Sequence, residues 1–135
     1  MGKYTETYSD IYSVFAAPEW AAETIKTIPE SYSTTGLGNE WIRVSIVTGS
    51  TPVFLATSLS GQLIIDIYVP AGEGLSRLTA IADKLDTYLV RRSVAAGLNG
   101  TTQFGSSTLV PLGADAANAS LYRGSYSINF NYFRK

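Results

Sequence analysis

Gly61-Gln62-Leu63-Ile64-Ile65-Asp66-Ile67-Tyr68-Val69-Pro70-Ala71-Gly72-Glu73-Gly74 opens a stretch, ending at Arg92, along which the hydrophobic period changes. Over residues 61–69, Leu63, Ile65, Ile67 and Val69 make one apolar face, while Gln62, Ile64, Asp66 and Tyr68 make a mixed one. That alternation is the mark of a half-buried strand. Pro70 removes a ladder donor and ends it. Ala71-Gly72-Glu73-Gly74 is a corner, because glycine accepts a positive φ that other residues resist. From Leu75 the period becomes helical: Leu78, Ile81, Ala82, Leu85, Tyr88 and Leu89 fall on one arc. Arg91 and Arg92 stand where cations suit a helix C-terminus, and Gly97 supplies a stop. A strand and a helix, each with one apolar face and joined by a tight corner, are expected to pack on one another.

Working outward, Glu40 to Thr48 reads as a second strand, with Ile42, Val44 and Ile46 on one face and Trp41, Arg43, Ser45 and Val47 on the other. Tyr4 to Ala17 is expected to form a short helix with Ile11, Val14 and Phe15 toward the core, interrupted by Pro18. A short extended piece around Ile25 and Ile28 is limited by Pro29, and Ser33 to Asn39 carries loop chemistry. Beyond the helix, Asn99-Gly100 offers a turn, Thr101 to Leu112 a weak strand, and Gly113 to Ser120 a small-residue loop. Leu121 to Phe133 is the last strand, with Tyr122, Tyr126, Ile128, Phe130 and Tyr132 on one side. The expected fold is α+β: a mostly antiparallel sheet of four or five strands, one main amphipathic helix packed on it, and a short N-terminal helix. Residues 1–135 are expected to form a single domain.

Composition narrows the chemistry. Charged residues make up 16% of the chain and the formal net charge is −1, so there is no basic footprint for tight nucleic-acid binding. Cysteine and histidine are both absent, which removes disulfides, thiol nucleophiles, histidine bases and Cys/His metal sites together. No basic-then-apolar segment opens the chain and no apolar run approaches membrane-spanning length, so a soluble protein of a reducing compartment, or one assembled there, is expected.

The remaining candidates are weak as catalytic sites. Gly72-Glu73-Gly74 lacks the Lys-Ser/Thr pair of a phosphate loop, and Glu73 would repel a phosphate. Asp83 and Asp86 lie three apart on the helix, but two carboxylates on a solvated face seldom hold a cation. Asp66 has no second carboxylate beside it by spacing, and the serines have neither an elbow motif nor a histidine. Arg123-Gly124-Ser125-Tyr126-Ser127-Ile128-Asn129-Phe130 echoes an RNA-recognition signature, yet serines occupy its stacking positions, so a core-facing aromatic strand explains it better. No catalytic, metal or cofactor residue is assigned.

Two features suit subunit contacts instead. Arg77, Lys84 and Arg91 recur every seven residues along one edge of the helix, with Asp83 and Asp86 toward the other. Such a split is usually a solvated face, and it also suits a helix wedged between like subunits. Between the two long strands, the connection Gly49 to Ser60 carries Val53, Phe54 and Leu55 consecutively, an unfavourable exposure unless something covers them. Folding back on the same chain is one way to cover them, and an arm docking on a neighbouring subunit fits three in a row better.

Trp41-Ile42-Arg43-Val44-Ser45, the strand ending Ile67-Tyr68-Val69-Pro70-Ala71-Gly72-Glu73-Gly74, the helix carrying Ala82-Asp83-Lys84-Leu85, and Tyr122-Arg123 through Phe130 resemble the tail terminator proteins of long-tailed phages (siphophages), lambda-like ones among them. The resemblance covers residues 40–133, and Thr27-Ile28-Pro29 echoes an extended segment before the first long strand. It implies a structural virion protein without enzyme activity or cofactor, assembled in the host cytoplasm as a hexameric ring on the head-proximal end of the tail tube. Such rings stop tube polymerisation and offer their other face to head-completion proteins, and DNA passes through the lumen without specific binding. The alternatives are a neck or head-completion protein of the connector, or a small-ligand-binding α+β domain with its pocket beneath the helix.

Overall fold

The computed structural model describes residues 2–30, 32–33, 36, 38–49, 58–96 and 99–134. In chain order its elements are α1 (Lys3–Ala16), α2 (Pro18–Ala21), β1 (Thr27–Pro29), β2 (Trp41–Thr48), β3 (Leu59–Pro70), α3 (Gly74–Leu89), β4 (Ser93–Val94), β5 (Gly100–Ala114) and β6 (Leu121–Arg134). The strands make one six-stranded sheet in the order β1-β2-β3-β6-β5-β4. β1 runs parallel to β2, and every other neighbouring pair is antiparallel.

β3 lies between β2 and β6, and the registers carry its apolar face across the sheet. Ile67 stands opposite Ile42, Ile65 opposite Val44, and Leu63 opposite both Ile46 and Ile128. Ile42, Val44, Leu63, Ile65, Ile67 and Val69 all have 0% exposure, so the face read from the alternation is the floor of the core. α3 covers this floor with Leu78, Ile81, Leu85 and Leu89, each completely buried. The corner before α3 uses a glycine where one is needed: Gly74 has φ +45, a region that a Cβ strains. Gly124 of β6 lies under the helix, where a Cβ would come within 2.6 Å of Leu78 Cδ1. Only glycine lets α3 sit this close to β6.

The N-terminal helix forms where expected, but its seat is different. Ile11 is buried and Val14 and Phe15 are partly so, yet Glu6, Thr7 and Asp10 are buried as well. Trp20 anchors α2, with its ring edge-to-face with Phe15 and with Tyr88 of α3, both at 5.4 Å, and Nε1 donating to Thr27 Oγ1 at 2.8 Å.

Several expectations are corrected. The sheet has six strands because the two- and three-residue pieces β4 and β1 are recruited by the ladders of longer neighbours. The segment around Gln103 and Thr108 is no weak strand but the fifteen-residue β5, which also takes in Gly100 and the start of the expected Gly113 loop. β3 begins at Leu59, paired with Tyr132, so the connection before it is shorter than Gly49 to Ser60. Val53, Phe54 and Leu55 lie outside the described residues. α3 stops at Leu89 with Val90 as its cap, and Arg91 takes the left-handed conformation at φ 58. There the Arg91 N–H donates to Gly105 O at 3.2 Å, and Phe104 N–H donates to Arg92 O at 2.9 Å. Pairing with β5 thus ends the helix before Gly97, which is itself outside the described residues.

Leu85→Ala removes a completely buried side chain from the seam between α3 and the sheet. It is expected to cost about 2–5 kcal/mol, read as a lowered midpoint in urea unfolding. An unchanged midpoint would mean that this side chain does not carry the seam.

Candidate assembly surface

The sheet has one helix-covered face and one bare face, and its charged side chains divide between them. On the helical side, Arg77 grips Glu40 with two hydrogen bonds, Nη2 to Oε2 being 3.0 Å. The hydrogen bond from Arg77 holds the Glu40 carboxyl below the usual range, against a smaller opposing effect of burial. Lys84 Nζ lies 3.4 Å from Glu23 Oε2. Asp86 Oδ1 accepts from Tyr126 Oη at 2.7 Å and from Ser107 Oγ at 2.6 Å. Burial first, and then the bond to Asp86, push the Tyr126 hydroxyl well above its ordinary value.

These contacts revise the charge-split helix. Arg91 is not on α3, so Arg77, Lys84 and Arg91 do not form one stripe. Arg77 and Lys84 are engaged within the chain, and Asp86, expected on a solvated edge, is bonded to the sheet. Asp83 alone of the two helix acids is exposed, and it enters no ion pair among the described residues.

On the bare face, Trp41 of β2 stacks on Tyr68 of β3, with centroids 3.9 Å apart and planes at 18°. With Ile28 and Leu121 they make a second, smaller apolar cluster. The Arg43 guanidinium sits 5.3 Å from the centre of the Trp41 ring, and that of Arg123 sits 5.8 Å from Tyr68. Asp66, the strand acid singled out by the alternation, accepts from Arg123 Nη2 at 3.5 Å. The Nε atoms of Arg43 and Arg123 are buried without an acceptor. Above this end of the sheet is a cleft of about 380 Å³, lined by Trp41, Arg43, Tyr68, Asp115 and Leu121 among others. The next rows of the same face, Ser45-Ile64-Ser127 and Val47-Gln62-Asn129, are uncharged.

Sequence reasoning placed Trp41 and Arg43 on one strand face and Asp66 and Tyr68 on another, but missed that they form one cluster. The signal that would have joined them is the pairing of Trp41 with Tyr68 and Arg43 with Asp66. Register is a non-local property, so period alone does not supply it.

A second cavity of about 380 Å³ lies between α1, α2 and the C-terminal end of α3, lined by Val14, Ala17, Glu19, Tyr88, Arg92 and Val94 among others. Among the described residues, no group of three or more acids is placed to hold a metal, and no helix is long and apolar enough to cross a membrane.

No family model and no curated protein matches the chain. Solved structures do match its fold. A chain of the virion of a native gene transfer agent particle superposes with a TM-score of 0.61 at 13% identity, covering 94% of this chain and 93% of that one. The fold is shared with a virion chain. A second solved structure superposes with a TM-score of 0.64 at 13% identity, covering 96% of this chain and 92% of that one. At this identity the likeness is one of fold.

Two measurements check the reading of the charges. Asp86→Ala leaves the buried Tyr126 hydroxyl without its acceptor and is expected to cost about 1–3 kcal/mol. Asp83→Ala, on the exposed side, should stay within about 0.5 kcal/mol of the parent. Equal effects in chemical denaturation would contradict the assignment.

The depressed Glu40 carboxyl gives a pH dependence. Its contribution is present above the ordinary carboxyl value of 4.5 and is lost as pH falls through the lower folded value. Arg77→Gln should therefore lower stability at neutral pH by no more than about 1 kcal/mol, with the difference shrinking on acidification. A difference that grows toward acid would reverse the sign.

Proposed function

We propose that the chain is a structural virion protein without enzyme activity. It forms a ring, hexameric as in the tail terminators it resembles, on the head-proximal end of a phage tail tube. There it stops tube polymerisation and presents its other face to head-completion proteins, while DNA passes through the lumen. The observation that carries this reading is the fold shared over 94% of this chain with a chain of a gene transfer agent virion. The resembling corner from Pro70 to Gly74 supports it, since that corner leads directly from β3 into α3. The uncharged rows of the bare sheet face also suit a surface that meets partners or passing DNA without gripping phosphates.

The second reading, a small-ligand-binding domain, is favoured by the cavity between α1, α2 and the end of α3. Negative-stain microscopy of the purified protein separates the two. The ring reading expects six-fold particles, which should cap purified tail tubes when mixed with them. Monomers or dimers at every concentration would overturn it and leave the ligand-binding domain. Rings that bind a head connector but not tubes would move the assignment to a neck or head-completion protein.

A further inference from the structure

Ion pairing within the chain leaves opposite charges unmatched on the two faces of the sheet. Arg77, Lys84 and Arg123 each lie within 3.5 Å of a carboxylate. Arg43 has no carboxylate in ion-pair range among the described residues, and its guanidinium rests on the Trp41 ring instead. Its Nε is buried without an acceptor, so part of its hydration is already lost in the single chain. A half-desolvated guanidinium gains more from an incoming carboxylate than an arginine on an open surface does.

The complementary group is on the other side. Glu19, Glu30, Glu73 and Asp83 are exposed carboxylates outside the ion pairs among the described residues, and of these Glu73 lies in the field of Arg77. Asp83 is the one of them held within a sixteen-residue helix, on its solvent side. Arg43 belongs to the row of β2 that faces away from α3, so the sheet separates the two groups within one chain.

We infer that Asp83 of one copy binds Arg43 of the next, the α3 face of one subunit lying on the bare sheet face of its neighbour at the Trp41–Tyr68 cleft. The cleft volume of about 380 Å³ admits such a side chain, against a repulsion from Asp115 on its lining. Because the two patches differ, the contact is head-to-tail, the kind that closes into a ring when the rotation allows. This inference rests on the ring reading and supplies its contact.

The absence of cysteine gives a clean test. Arg43→Cys and Asp83→Cys are made separately, checked for native circular dichroism, mixed, and treated with a short bismaleimide. A covalent dimer is expected in the mixture and not in either variant alone, and the double variant should give a ladder up to the ring size. No dimer in the mixture, or equal dimer in one variant alone, overturns the contact. Charge reversal provides a second route if the Arg43→Cys substitution disturbs β2. Arg43→Glu and Asp83→Lys should each weaken self-association roughly ten-fold or more, and together restore it; a double variant as weak as the singles overturns the pairing. Negative stain of the parent protein reads the ring independently. Rings without the cross-link remove only this contact, whereas absence of both removes the ring reading too.

Discussion

Leu63, Ile65, Ile67 and Val69 of β3 share one core with Leu78, Ile81 and Leu85 of α3, and this seam is what the other elements are arranged around. Each such side chain contributes about 1.5–3 kcal/mol on burial. Set against a net stability of about 5–15 kcal/mol for a domain, a seam of this many residues decides whether the chain folds. β2 and β6 extend the floor on either side, and Gly124 lets the helix approach it at close range. The remaining helices close the edges of the same core rather than building another, since Ile11 and Trp20 belong to it.

Apolar contact supplies stability without much choice of register, and the polar ties supply that choice. Asp10, completely buried, accepts from Thr102 Oγ1 at 2.7 Å and from Ala96 N–H at 2.8 Å, and Glu6 accepts from Asn99 Nδ2 at 3.2 Å. These bonds pin α1 to the start of β5. Asp86, through Tyr126 and Ser107, pins α3 to β6 and β5 in the same way. A buried carboxylate is costly unless its hydrogen bonds are made, so each tie penalises any sliding of a helix along the sheet.

The two faces of the sheet therefore offer different chemistry to a partner. The helical face engages most of its charge internally and leaves Asp83 outward. The bare face combines an arginine-and-aromatic cleft with rows of uncharged groups. A molecule whose opposite sides are unlike and complementary is suited to head-to-tail association.

The sequence by itself determined the local periods, and with them β2, β3, α3, β6 and the identity of nearly every core residue. The reason is that the side-chain spacing of a strand or helix is written in consecutive residues, as the complete burial of Leu63, Ile65, Ile67, Leu78, Ile81 and Leu85 shows. It also determined which residues share a strand face, Trp41 with Arg43 and Asp66 with Tyr68. Only the tertiary structure decided what those faces meet. β1 and β4 are too short to carry a period and exist because β2 and β5 offer them ladders. The end of α3 was decided by the pull of β5 on Arg91 and Arg92, against a pattern that continued to Arg92. Asp83 and Asp86 are equivalent on paper, three residues apart, yet one faces solvent and the other holds a tyrosine of β6. Helical spacing places both toward one edge of the polar arc; only the position of a strand forty residues away, packed beneath that edge, tells them apart.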